Sequence, residues 1–232
     1  MILSKIRAVI TLIQLIITVS VVIILMYIFK KHNRSIRKVW GQLQLKLMGI
    51  KLEITGEIDP NAHMIIMNHQ SVLDIIIFEA LHPKDIAWVA KKEIANLIWF
   101  GHILKAPKMI IVERESKSSL VKLLKDAKEK YTHDRPIAIF PEGTRTDGKK
   151  LRKFKIGAKM IAEKNDMLVQ PIVMVGTRKI FDSQKFSQQS GVVKIKILPS
   201  VQAEKKSDWY KDTEILMAHT LTKEINSDIK LI

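Results

Sequence analysis

The stretch of sequence that decides the fold is HMIIMNHQSVLDIIIFEAL, residues 63–81. It begins with a short run of bulky apolar residues, which is typical of a buried strand, and it ends in a longer segment with a helical pattern. We predict a strand over 63–67 and a helix over 72–81. His69 would then follow the end of the strand, and Asp74 would lie in the first turn of the helix. Functional side chains of α/β folds collect at this end of their strands.

His69 and Asp74 together could deprotonate an alcohol. An imidazole accepts a proton near neutral pH, and a carboxylate can fix its tautomer and stabilise the imidazolium. Within a continuous helix, five residues rotate the chain by about 140° and would separate the two side chains. A loop before the helix removes that obstacle. A second interpretation stays open, because Ser71 and Asp74 also fit a capping box at the helix start.

A second motif is the turn FPEGTR, residues 140–145. The apolar run before it ends at Pro141, which cannot continue a central strand, so a turn must follow. Gly143 permits a positive φ or a close approach of the backbone to a ligand. Thr144 adds a hydroxyl. The turn therefore offers small polar groups at the end of a predicted strand.

The charged residues of this turn suggest a phosphate site. Arg145 presents a planar guanidinium that can hold a phosphate through two parallel hydrogen bonds. Glu142 could accept a hydrogen bond from a glycerol hydroxyl or hold Arg145 in place. The alternative is a strand-ending turn with a surface Glu–Arg pair, which would contribute only about 0–1 kcal/mol to stability.

The N-terminus carries a candidate membrane anchor. Residues 8–29 form a run of 22 residues without a charge, rich in Ile, Leu and Val. As a helix this run is long enough to cross a hydrocarbon core of ~30 Å. A cleaved signal peptide would have a shorter apolar region and a small-residue cleavage site, so we expect the segment to be retained. More basic residues follow it than precede it, which puts the C-terminal side in the cytoplasm.

A second membrane element follows directly. Helical spacing over 34–50 predicts an amphipathic helix with a basic face. Such a helix suits a membrane surface, although its apolar stripe could instead pack on the domain, and both arrangements could hold. A membrane-spanning anchor and a deep hairpin in one leaflet remain alternatives. The stripe consists of Ile36, Val39, Trp40, Leu43, Leu47 and Ile50.

Charge and composition limit the function classes. The formal net charge is +16, and it is concentrated in residues 1–52, with nine Lys or Arg and no acid, and in residues 144–164, with eight Lys or Arg against two acids. Such clusters favour anionic surfaces. We expect no nucleic-acid partner, because much of the charge flanks an apolar segment and no recognition-helix, RNA-binding or zinc motif appears. Cysteine is absent, which excludes disulfides and a Cys nucleophile, and nothing requires a metal or other cofactor.

Beyond residue 50, short apolar runs alternate with helical patterns, which predicts an α/β domain with a mixed, mostly parallel sheet flanked by helices. We divide the chain into a two-helix membrane-anchoring element at 1–50 and one catalytic domain at 51–232. The predicted strands are 51–55, 63–67, 86–90, 109–113, 136–140, 168–175 and 192–198. The predicted helices are 72–81, 93–100, 117–131, 156–164 and 208–226.

The two motifs together resemble those of the glycerolipid acyltransferase family, and within it the bacterial members that acylate lysophosphatidate. The resemblance runs from about residue 68 to residue 175. It implies that His69 and Asp74 are catalytic and that Glu142, Gly143, Thr144 and Arg145 bind the substrate.

The resemblance also suggests two further substrate-binding residues. A family segment that begins with Lys-Glu and ends in Arg corresponds to Lys92 through Arg114, so Arg114 would be a second phosphate ligand. The residues that precede it depart from the family pattern, and an exposed Arg at a strand end is the alternative. Lys155 belongs to FKIGA at 154–158, a segment that resembles the one following the family's phosphate turn.

The activity implied is transfer of an acyl chain from acyl-CoA or acyl-carrier protein to lysophosphatidate, giving phosphatidate, at the bacterial inner membrane with the catalytic domain facing the cytoplasm. No Gly-x-Ser-x-Gly elbow is present, so a one-step transfer with His69 as base is expected. Another lysolipid or glycerol 3-phosphate could replace the acceptor. A non-catalytic, membrane-anchored protein that binds anionic lipid is the alternative from a different class.

Overall fold

The structure is a computed structural model that describes residues 2–113 and 117–229. The strands are β1 (Ile50–Thr55), β2 (Met64–Met67), β3 (Ala87–Lys91), β4 (Ile110–Val112), β5 (Ile137–Ile139), β6 (Leu168–Val175), β7 (Phe181–Asp182), β8 (Ser187–Gln188), β9 (Gly191–Ile197) and β10 (Val201–Gln202). The helices are α1 (Ile2–Ile28), α2 (Asn33–Leu47), α3 (Leu73–Leu81), α4 (Lys92–Ala95), α5 (His102–Lys105), α6 (Lys117–Thr132), α7 (Ile156–Lys164), α8 (Thr177–Ile180) and α9 (Trp209–Ile229), and a 3-10 turn (Lys30–His32) joins α1 to α2.

The main sheet is mixed and mostly parallel, which confirms the predicted fold class. Its order is β1-β9-β6-β2-β5-β3-β4, with β10 paired to the start of β6. Strands β2 to β6 run parallel to one another, whereas β9 is antiparallel to β6 and parallel to β1. Since the parallel strands share one direction, the chain segments that follow β2, β3, β5 and β6 lie at the same edge of the sheet. The two motifs follow β2 and β5.

Strand β2 is buried on both faces because helices cover both sides of the sheet. Met64 and Ile66 pack into the core beneath α6, α7 and α9. Ile65 and Met67 face the opposite way, into the core beneath α3. A parallel strand covered on both faces needs apolar residues at every position. This explains why the sequence of β2 is an unbroken apolar run.

Pro171 lies in the middle of β6 at a position where its missing N–H costs little. Antiparallel pairing of β6 with β10 involves residues 168–169, and its pairing with β9 begins at Ile172. Pro171 falls between these two partners, and its carbonyl accepts a hydrogen bond from Leu198 N at 3.0 Å. A proline inside a sheet is tolerated where no ladder bond is required of its nitrogen.

One predicted element is wrong. The helix expected over 93–100 is only the short α4, after which the chain turns back and forms the short α5. Gly101 marks this reversal, since a Cβ there would lie 2.2 Å from the carbonyl oxygen of Ala95. A continuous helix cannot bring two such backbone groups together. The reversal leaves Ile98 95% exposed.

The amphipathic helix is shorter than predicted, and its apolar stripe is divided between an exposed part and a part, Ile36 and Trp40, that packs on the body. Helix α2 ends at Leu47, because Gly49 turns the chain with φ +64° and Ile50 begins β1. The polar face of α2, rather than its apolar stripe, contributes the fully buried residues Arg37, Gly41 and Gln44. Among the stripe residues, Val39, Leu43 and Leu47 are exposed.

Buried ion pairs hold the polar face of α2 against the domain. The carboxylate of Glu79, at the end of α3, pairs with Arg34 at 2.9 Å and with Arg37. It also accepts a hydrogen bond from Trp88 Nε1 at 2.7 Å. Arg37 pairs in addition with Asp85. Breaking a buried pair leaves an uncompensated charge, so these contacts make α2 an integral part of the fold.

Helix α1 packs along the body through a line of polar contacts. Gln14 donates to Gln44 Oε1 at 2.8 Å, and Trp40 Nε1 donates to Thr18 at 3.0 Å. Further along the helix, Trp99 Nε1 donates to Ser20 at 2.8 Å. Among the described residues, α1 is the one helix long and apolar enough to cross a membrane, and 22% of its most apolar window is buried.

Candidate active site

His69 and Asp74 meet as the loop-to-helix geometry predicted. His69 lies in the loop between β2 and α3, and its Nδ1 is 2.8 Å from Asp74 Oδ2. Asp74 lies in the first turn of α3 and is fully buried. The side chain of His69 is 12% exposed. Nε2 of the imidazole makes no hydrogen bond with the described residues, so the nitrogen that faces away from Asp74 is available to a substrate.

The carboxylate of Asp74 receives four hydrogen bonds. Oδ2 accepts from His69 Nδ1 and from the backbone N–H groups of Gln70, at 2.7 Å, and Ser71, at 2.9 Å. Oδ1 accepts from the hydroxyl of Thr177 at 2.5 Å. One carboxylate therefore orients the imidazole and also satisfies two backbone donors before the helix. The expected capping box is formed only in part, because α3 is capped at Val72 and not at Ser71, without a side-chain cap bond.

Aromatic packing fixes the plane of the imidazole. The ring of His69 stacks on Phe140, with 3.9 Å between centroids and 11° between planes. Phe140 in turn stacks on Trp88, with centroids 5.6 Å apart. Phe140 is the first residue of the second motif. Phe140, at the end of the predicted strand 136–140, therefore packs on His69, which follows the predicted strand 63–67.

Glu142 connects the two motifs through the backbone. Its Oε1 accepts from His69 N at 2.7 Å, and its Oε2 accepts from Arg152 N at 2.8 Å. Each carboxylate oxygen thus bonds a backbone N–H, and among the described residues Glu142 makes no ion pair with Arg145. Glu142 is 2% exposed, and burial raises its pKa to about 7.

The turn itself brings Lys155 over Gly143. Gly143 has φ +74°, and its N–H donates to the carbonyl of Phe140 at 3.0 Å. A Cβ at this position would lie 3.0 Å from Lys155 Cδ and 3.2 Å from Lys155 Nζ. Glycine therefore suits the positive φ of this position, and the flexible end of the lysine side chain lies where a side chain at residue 143 would begin. The ammonium group of Lys155 lies directly beside the turn.

The remaining residues of the turn face outward. Thr144 and Arg145 are exposed, and the guanidinium of Arg145 makes no ion pair with the part of the chain that the structure describes. The next residue, Thr146, fixes the turn to the first motif, because its N–H donates to the carbonyl of His69 at 2.8 Å. Within the described residues, Arg145 is therefore an unpaired cation next to a turn that is bonded to the candidate base.

The prediction for Arg114 falls outside the described residues. Lys92, at the start of the segment that suggested it, pairs with Glu113 at 3.0 Å on the surface. These two residues follow the neighbouring strands β3 and β4.

Sequence reasoning missed α8, the short helix after β6. Besides the Thr177 contact with Asp74, Arg178 Nη1 donates to the carbonyl of Thr146 at 2.5 Å. One short segment thus contacts both motifs. No known motif marks it, but its position after a predicted strand of the same sheet could have indicated that it reaches this edge.

The sequence of this chain is similar to those of known acyltransferases. The family model Acyltransferase matches residues 51–175. The chain is 39% identical, over 91% of its length and 90% of the relative's, to a 1-acyl-sn-glycerol-3-phosphate acyltransferase of Helicobacter pylori. It is 26% identical to a lyso-ornithine lipid O-acyltransferase of Rhizobium meliloti, over 57% of this chain and 45% of that protein. These findings confirm the resemblance that the motifs indicated.

The crystal structure of the 1-acyl-sn-glycerophosphate (LPA) acyltransferase from Thermotoga maritima has the same fold. Its TM-score with this chain is 0.71 at 23% sequence identity, and the match covers 84% of this chain and 80% of that one.

The raised pKa of Glu142 predicts a pH-dependent stability. Between pH ~4.5 and ~7 the folded state holds a proton on Glu142 that the unfolded chain releases, so the free energy of unfolding should fall as the pH rises through this window. The contribution is on the order of 3 kcal/mol. We expect the wild type to lose stability relative to Glu142→Gln between pH 4.5 and 7, as measured by thermal unfolding in one detergent. A constant difference across this range would contradict the prediction.

Proposed function

The chain belongs to the acyltransferase family, and we propose that it transfers an acyl chain from a thioester donor to the free hydroxyl of lysophosphatidate, giving phosphatidate. The observation that carries the proposal is the bond from His69 Nδ1 to the buried Asp74, which leaves Nε2 accessible. The donor is an acyl-CoA or acyl-carrier protein thioester. Incubating the purified protein in detergent with a panel of lysolipids and both donors tests this proposal.

The reaction needs one base and no covalent enzyme intermediate. Asp74 holds the proton on Nδ1, so Nε2 of His69 accepts the proton of the acceptor hydroxyl. The hydroxyl oxygen attacks the thioester carbonyl to form the ester bond. The carbon–sulfur bond then breaks, and the departing thiolate takes the proton from His69. Phe140 keeps the ring plane fixed through these steps by stacking.

The cations beside the turn are the proposed phosphate ligands. Arg145 offers a planar pair of donors, and Lys155 offers an ammonium held over Gly143. The hydroxyl of Thr144 is exposed on the same turn. Because Thr146 is bonded to the carbonyl of His69, a phosphate bound here would lie at a fixed position relative to the base. Arg114 remains a proposed further ligand.

The proposed catalytic pair predicts specific losses. His69→Ala should lower kcat by about 10²–10⁴, the range expected for loss of general-base catalysis. Asp74→Asn should be similarly harmful, because an amide cannot hold the Nδ1 proton in the same way. Initial rates and thermal unfolding should be measured together. Near-wild-type turnover in His69→Ala would remove His69 from the mechanism, whereas a wild type that binds lipid without turnover would favour a non-catalytic lipid-binding protein.

The proposed phosphate contact predicts a selective effect. Arg145→Lys should raise the KM for lysophosphatidate, because the charge stays but the bidentate contact is lost. The KM for the acyl donor should change less. Arg152→Lys is the matched control, since that side chain is also exposed on the following loop. Equal losses with phosphorylated and unphosphorylated acceptors would give Arg145 a structural role and reopen other lysolipids, such as a lyso-aminolipid, as the acceptor.

We further propose that residues 1–50 dock the catalytic domain, 51–232, on the cytoplasmic face of the inner membrane without crossing it. Helix α1 contacts the body near both ends, since Ala8 is buried towards its start and Met26 towards its end. A helix that packs along the domain cannot also leave it to span a bilayer. Large apolar side chains are exposed on α1, on α2 and on the turn after α4. They include Ile10, Ile13, Ile17, Val21, Ile24, Val39, Leu43, Leu47, Leu97, Ile98 and Trp99.

Single cysteines test this orientation, because the chain has none of its own. Lys5→Cys and Lys206→Cys are both at exposed positions, one before the apolar run and one in the domain. We expect a membrane-impermeant maleimide to label both from the same side in inside-out vesicles. Labelling from opposite sides would show that α1 spans. High salt should not release the protein, since apolar contacts are not screened.

A further inference from the structure

The Asp74 carboxylate has a donor that neither motif contains. Thr177 is fully buried, and its hydroxyl lies 2.5 Å from Asp74 Oδ1. Among the described residues it is the single donor to that oxygen, because the other three donors all bind Oδ2. A second oxygen, Gln70 Oε1, lies 3.4 Å from the hydroxyl. The hydroxyl has one proton, and the shorter distance and the negative charge direct it to Asp74.

The backbone around Thr177 holds this hydroxyl in place. Gly176, which precedes it, has φ +97°, and a Cβ there would lie 2.9 Å from the carbonyl oxygen of Val192. Arg178, which follows it, donates to the carbonyl of Thr146 and pairs with Asp182 at 3.1 Å. Thr177 is therefore anchored on both sides by contacts that do not involve Asp74. Its hydroxyl is positioned by the fold.

We propose that Thr177 is a positioning residue for acyl transfer, which acts by holding the Asp74 carboxylate in the orientation that directs its other oxygen to His69. This inference rests on the proposed function. Thr177 itself touches no reacting atom. Without its hydroxyl, Oδ1 would be a buried anionic oxygen without a donor, and the carboxylate would rotate or draw in another group to satisfy it. The imidazole would lose its fixed orientation as a result.

The test removes the hydroxyl and then restores it. Thr177→Val keeps the branched shape but loses the donor, and we expect kcat to fall roughly 10- to 100-fold with little change in the KM of either substrate. Thr177→Ser should recover most of the rate. Thr213→Val is the matched control, because Thr213 is also buried, but its hydroxyl bonds the carbonyl of Trp209 at 2.6 Å. That control should keep the wild-type kcat per folded molecule.

The pH profile separates positioning from a structural role. With the carboxylate no longer held towards His69, the imidazolium loses part of the charge that stabilises it, so the acidic limb of kcat/KM should move to lower pH in Thr177→Val and return in Thr177→Ser. If the valine variant folds poorly, Thr177→Ala provides the same test, and we expect the same changes in it. An unmoved limb with a normal kcat would overturn the inference. So would a loss of rate that serine fails to rescue.

A measurement without substrate distinguishes this failure from failure of the proposed function. In protein labelled with ¹⁵N at histidine, the His69 signal is identified by its loss in His69→Gln. We expect its titration midpoint to fall by about half a pH unit or more in Thr177→Val. An unchanged midpoint overturns the positioning role even if the wild type is active. An inactive wild type with a shifted midpoint overturns the proposed reaction and leaves the contact established.

Discussion

The buried carboxylate of Asp74 is the constraint on which the site depends. A charge removed from water costs several kcal/mol unless hydrogen bonds compensate it, and here four donors do so. They come from the loop after β2 and from the start of α8 after β6. Because the carboxylate can be satisfied only when these segments converge, the packing of neighbouring strands and the orientation of His69 depend on the same group.

The carboxylate of Glu142 joins the second motif to the first. One of its oxygens accepts the N–H of His69, while the carbonyl of His69 accepts the N–H of Thr146. The backbone of the base is thus held on both sides by the turn that would bind phosphate. Burial raises the pKa of Glu142 to about 7, so the folded protein holds this carboxyl protonated below that pH, and its conversion to a buried anion at higher pH weakens the folded state. The two motifs therefore form one bonded unit rather than two adjacent sites.

Much of the fold and part of the candidate site could be predicted from the sequence, because local interactions determine them. The β2–α3 segment follows from apolar periodicity, and the contact between His69 and Asp74 follows from the loop that separates them. The two contacts of Glu142 could not be predicted, since its partners are backbone groups that carry no signal in the side-chain pattern. The contact of Thr177 with Asp74 could not be predicted for a related reason, because it depends on β6 lying beside β2. The helix predicted over 93–100 was wrong because the chain reverses at Gly101, and the apolar periodicity of the sequence does not reveal this reversal.

The orientation of α2 supports the proposed docking on a membrane. An amphipathic helix in water buries its apolar stripe, yet α2 buries Arg37 and Gln44 and exposes Val39, Leu43 and Leu47. This arrangement would be unfavourable in water, whereas in a bilayer interface the outward stripe meets lipid. Arg37 pairs with Glu79, which bonds Trp88; Trp88 stacks on Phe140, and Phe140 stacks on His69. A continuous series of contacts thus joins the proposed lipid-facing helix to the ring of the proposed base, so the geometry of the site and its proposed placement at a bilayer depend on the same side chains.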